Sequence, residues 1–131
     1  MKNFVRPLRN ALVVPLLAVV AACGGGVYVD ATVPVGPPPD ISIATSTDVA
    51  FRGDPVRLIG AVTASNGVDY VSFFRIDFGV ATPLGTVFRP PLQWDTSIPI
   101  NAGSTVSYYA RACDAIGQCT NSNVISVAVV P

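Results

Sequence analysis

The chain has 131 residues, eight basic and eight acidic, so its formal net charge is zero, and half of it is hydrophobic. It has no histidine, no glutamate and no lysine beyond Lys2. That removes the usual imidazole base and metal ligand and the lysine Schiff base. With no basic patch, nucleic acid is excluded as a partner.

In chain order, Lys2, Arg6 and Arg9 come first, then residues 11–22 without a charge, then Cys23 and Gly24-Gly25-Gly26. A basic start, a short apolar run and small residues at its end describe a secretory signal. The run falls short of the roughly 20 apolar residues that span a bilayer and contains Pro15. An ordinary cut after Ala22 would leave Cys23 as an odd free thiol in an oxidising compartment. Val20-Ala21-Ala22-Cys23 resembles the lipobox of bacterial lipoproteins. The resemblance implies removal of residues 1–22 and acylation of the Cys23 thiol, which ties the protein to a membrane of the bacterial cell envelope. Gly24 after the lipid cysteine resembles lipoproteins sent to the outer membrane.

Beyond the signal stand five arginines against eight aspartates, a net charge of −3 spread along the chain. Residues 23–39, rich in glycine and ending Pro37-Pro38-Pro39, read as the lipidated cysteine and a tether. Residues 40–131 read as one domain. Its segments are rich in Val, Ile, Thr, Tyr and Phe, with turn residues between them. Strands are expected over 41–46, 56–64, 70–77, 84–89, 92–96, 105–113 and 122–130. Turns are expected at Ser65-Asn66-Gly67, at Asn101-Ala102-Gly103 and at Asp95-Thr96-Ser97. Pro83 and the pair Pro90-Pro91 bracket the fourth strand. About seven short antiparallel strands at this spacing describe an all-β sandwich.

Alternation assigns faces. Val56, Leu58, Gly60 and Val62 share one face of their strand; Val106, Tyr108, Ala110 and Ala112 share one of theirs, opposite Arg111. Val71 and Phe73 are expected inward, although Phe74 and Ile76 make the other face apolar too. The arginines are expected on solvated outer faces.

The pieces VRLIGAVTA, VSFFRID, PLQWDTS and ARACDAIGQCTNSNVISVAV, in that order, resemble bacterial Ig-like domains over residues 55–130. The resemblance implies an Ig-like β-sandwich. In its terms Tyr108 resembles the tyrosine of a tyrosine corner, and no cysteine stands at Ala110, where antibody domains carry one.

Cys113 and Cys119, separated by five residues in an exported chain, are expected to form a disulfide outside the core. Asp114 and Gly117 fit the turn between them. One carboxylate there is too few for calcium, and the spacing is too wide for a redox pair. Trp94 is expected between the sheets, with Leu92 on its face.

The function implied is a non-catalytic binding, spacer or structural module, monomeric, without cofactor or metal, lipid-anchored, with a protein or glycan of the envelope as partner. A carbohydrate-binding module using Trp94 or Tyr109 is the alternative. A hydrolase would need a pair of aspartates in a cleft.

Overall fold

A computed structural model describes residues 36–131. The signal 1–22, the lipidation site Cys23 and tether residues 24–35 lie outside the described residues. Alternating apolar and polar residues put one face of each strand into a common core. The strands are β1 (Asp40–Thr45), β2 (Val49–Phe51), β3 (Pro55–Thr63), β4 (Val68–Asp77), β5 (Val80–Val87), β6 (Gln93–Ser97), β7 (Thr105–Asp114), β8 (Cys119–Asn121) and β9 (Ile125–Val130). One sheet has the order β1-β3-β6 and the other β2-β9-β7-β4-β5, with β8 also on β7. There is no helix among the described residues.

Buried side chains from both sheets meet in the middle: Ile41, Ile43, Val56 and Leu58 from the first, Val71, Phe73, Val106, Tyr108 and Val127 from the second. The Phe73 ambiguity resolves inward. Phe73 is fully buried opposite Ala110, and Val71 opposite Ala112, so a large residue on β4 sits beside a small one on β7. Phe74 turns outward and stacks on Tyr109, its cross-strand partner, at 4.8 Å between centroids.

The described residues form nine strands where about seven were expected. β2 is too short to show alternation, and its pairing with β9 is parallel, against the all-antiparallel expectation. β5 begins at Val80 rather than at residue 84 and contains Pro83. It is an edge strand, where a missing N–H is tolerated, and the register shifts between Phe73 and Phe74 opposite it. Asp95-Thr96-Ser97 belongs to β6, not to a turn.

The expected last strand, 122–130, begins only at Ile125 as β9, and a break separates it from the additional strand β8. At the break Ser122 keeps its place on β7, donating from N to Ala110 O and accepting from Ala110 N at Oγ. Asn123 instead reaches the other sheet. Its Oδ1 accepts from Ile43 N at 3.0 Å and its Nδ2 donates to Ile43 O at 3.2 Å. A side-chain amide thus pairs with β1 as a strand neighbour would.

Gly36–Pro131 is one compact unit. Residues 36–39, expected as the end of the tether, pack on it: Pro39 is buried and Gly36 O accepts from Gln118 Nε2 at 2.9 Å.

Candidate functional site

The end of the sandwich where β4 begins and β7 finishes is closed by the cysteine hairpin. Cys113 and Cys119 face each other in register and are disulfide-bonded, with Cα atoms 4.1 Å apart. That is a little under the usual range for disulfides, which begins at about 4.4 Å. The next position is tied by Asp114 N donating to Gln118 O. The cysteines therefore occupy a non-hydrogen-bonded site, where antiparallel Cα atoms approach to about 4.5 Å.

Asp114 organises this end. Oδ1 accepts from Gln118 N at 2.7 Å and Ile116 N at 3.2 Å; Oδ2 accepts from Gln118 Nε2 at 3.1 Å and Asn66 Nδ2 at 3.2 Å. Burial alone would push this carboxyl up, but the four hydrogen bonds outweigh it and hold it below the usual carboxylate range. Gly117 takes a φ of 92°, which completes the turn. The carboxylate is thus engaged by its own hairpin and by the turn at Asn66.

Neither aromatic expected to meet a ligand stands alone. Trp94 pairs with buried Leu58 across β3 and β6, so it points between the sheets. Its six-membered ring lies on Gly85 of β5, where a Cβ would overlap Cη2, Cζ2 and Cζ3. Glycine at 85 is what lets the indole close the gap between the sheets. Tyr109 is half-buried on the outer face, its ring nearly parallel to Phe74 at 8°. Two rings stacked this way cover one face of each other.

The opposite end, where β4 finishes and β5 and β7 begin, was missed by the sequence reading. The inward face of β4 does not stop at Phe73 but continues with Arg75 and Asp77, so Arg75 is not on a solvated outer face. Arg75 Nε donates to Asp77 Oδ2 at 2.6 Å, with the side chains only 22% and 25% exposed. By contrast the bidentate Arg57–Asp95 pair sits on an outer face, 49% and 67% exposed. The signal for Arg75 was present: strict alternation from Val71 through Phe73 already placed residues 75 and 77 inward.

A cavity of about 240 Å³ opens at this end, lined by Arg75, Asp77, Phe78, Asn101 and Thr105 among others. Beside it Tyr108 is fully buried, and its hydroxyl has no hydrogen-bond partner among the described residues. The tyrosine-corner expectation therefore fails: in that motif the hydroxyl bonds to the backbone. Tyr108 stands in the middle of β7, facing the core opposite Arg75. Burial pushes its pKa up, with Arg75 acting against and Asp77 with it.

No protein-family model matches this chain, and no curated protein matches it. Among solved structures it is similar to the fibronectin(III)-like modules of Clostridium thermocellum CbhA, with a TM-score of 0.56 and 19% identity over 68% of this chain and 93% of that one. It is also similar to Spo0M, a sporulation control protein from Bacillus subtilis, with a TM-score of 0.50 and 9% identity over 73% of this chain and 51% of that one. At these identities the likeness concerns the fold. The two facing sheets and the fibronectin(III)-like neighbour together make the described region an all-β, Ig-like sandwich.

Proposed function

We propose that this chain is a lipoprotein of the bacterial cell envelope, anchored through acyl chains on Cys23 and residing in the outer membrane. Its Ig-like domain acts by binding or spacing, without catalysis. The observation that carries the anchor is Ala21-Ala22-Cys23 at the end of the uncharged run behind three basic residues. More than one acyl chain is needed for stable attachment, each buried CH₂ contributing about 0.8 kcal/mol.

Two of the aspartates, Asp95 and Asp114, are unsuited to acid catalysis. A glycosidase-type acid needs a raised pKa. Asp95 is lowered, chiefly by its hydrogen bond to Arg57, and Asp114 is lowered by its own turn. Both move in the wrong direction for a general acid.

Mass spectrometry of the protein from envelopes tests the anchor: acylated Cys23 at the N-terminus, with residues 1–22 gone, is the expected result. An unmodified Cys23 or an intact Met1 overturns it. A turnover abolished by a single Asp→Asn change would overturn the non-catalytic reading.

A further inference from the structure

The end of the sandwich away from the disulfide gathers features that work against stability. The β4–β5 hairpin turns through two residues, Phe78 and Gly79, both at positive φ, 51° and 83°. Such a turn calls for Asn-Gly or Gly-Gly. A bulky residue in the left-handed region is a genuine outlier. Burial does not offset the strain, because Phe78 is 86% exposed. The half-buried Arg75–Asp77 pair lines the same cavity, and Tyr108, whose hydroxyl has no partner among the described residues, stands opposite Arg75 on β7. Local rules broken together at one place point to function rather than to folding.

We propose that the cavity bounded by Phe78, Arg75, Asp77, Asn101 and Thr105 binds an uncharged saccharide. This inference rests on the reading of the domain as a binding module. The pair decides the charge of the ligand. A carboxylate entering the cavity would meet Asp77, and an ammonium would meet Arg75, so neither net charge is favoured. Hydroxyl groups suit both partners: they accept from the Arg75 Nη groups, whose Nε is already committed to Asp77, and donate to the Asp77 carboxylate. Asn101 and Thr105 add groups that donate and accept. Phe78 presents an apolar face to the C–H side of a sugar ring, the part of the ligand that hydrogen bonds do not hold. A volume of about 240 Å³ is many times the roughly 10–15 Å³ that a single water needs. One ring fits inside, and the rest of a chain would run out across Phe78.

The test is an NMR titration of the full chain in a sugar-free detergent. The probes are cellobiose, chitobiose and maltose, with acetate and methylammonium as charged controls. Saturable shifts confined to residues 75–79 and 99–106 with at least one disaccharide, and with neither control, are the expected result. Phe78→Asn should lower that affinity about tenfold while raising the melting temperature, because asparagine accepts the left-handed turn. That opposite movement separates loss of the site from loss of the fold.

Four outcomes overturn the proposal: no shift with any disaccharide, equal binding of a charged control, shifts centred on Trp94 or Tyr109, or unchanged affinity in Phe78→Asn. A protein partner crosslinked through residue 78 in cells, with no disaccharide binding, would overturn the saccharide and leave the binding-module reading standing.

Discussion

At one end of the sandwich the Asp114 carboxylate takes four hydrogen bonds, a disulfide closes the hairpin beside it, and Gln118 reaches across to the backbone of Gly36. At the other end Phe78 holds a strained backbone with its ring in water, and the Tyr108 hydroxyl is buried without a partner. The two ends share the same strands, since β4 and β7 run the full length between them. The core is common to both, and the polar chemistry differs. Where the described chain enters the domain, every donor of the Asp114 turn finds its acceptor. At the far end Phe78 stays exposed, and Arg75 and Asp77 line an open cavity. A domain with a stability of only about 5–15 kcal/mol can carry such an end if the other is tightly made.

The largest effect that tests this contrast should come from Asp114→Ala. Four donors would lose their acceptor at a part-buried site. Thermal unfolding should show a greater loss than removing the disulfide does. Acid titration checks the same residue. Because its folded pKa is depressed, its contribution is present above the unfolded value of about 3.9 and is lost as pH falls through the lower folded value. Asp114→Asn should flatten that acid limb. If Asp114→Ala melts like the parent, the tight end is not where stability is held.

Next in size is the staple itself. The ring closed by Cys113 and Cys119 is short, so its contribution is about 2–2.5 kcal/mol on the chain-entropy view. Cys113→Ser with Cys119→Ser should lower the melting temperature by roughly 10 °C and leave the sandwich folded by circular dichroism. Thiol titration of the unfolded, unreduced parent domain should find neither cysteine free. Finding both free would remove the bridge, and a double mutant that never folds would make it far more important than its ring size allows.

The smallest effect belongs to the open end and has the opposite sign. Tyr108→Phe deletes a buried hydroxyl without a partner and keeps the ring, so stability should rise by about 1 kcal/mol. Burial raises the folded pKa of this phenol. Its contribution is therefore intact below the unfolded value of about 10 and is lost as pH climbs through the higher folded one. Chemical denaturation at neutral and alkaline pH should show the gain and the missing alkaline loss. A destabilised Tyr108→Phe would mean that the hydroxyl makes a tyrosine-corner bond after all.

Much of this fold could be read from local pattern. Period-two alternation placed Val56, Leu58, Val106 and Tyr108 inward, because a strand sends successive side chains to opposite faces whatever its neighbours are. The Asp114–Gly117 turn was legible for the same kind of reason: an aspartate that bonds its own backbone and a glycine that takes positive φ act within a few residues. The open end was only half legible. Alternation held the signal for Arg75 and Asp77 facing inward, although the arginines were expected on outer faces, and Pro83 hid the start of β5 and with it the two-residue turn that strains Phe78.

The rest was decided by contacts between residues far apart in the chain. Nothing near Asn123 says that its amide will bind the backbone of Ile43, eighty positions away. Nothing near Gly85 says that an indole from β6 will lie on it. The three-residue β2 has no periodicity of its own and exists because β9 offers a free edge. Alternation, turn chemistry and cysteine spacing act over a few residues and survive in any context, so the sequence by itself determined most of the strands, the hairpin staple and the class of fold. Which edge meets which edge, and which polar atom is left without a partner, depends on how two sheets settle on a shared core, and only the tertiary structure decides that.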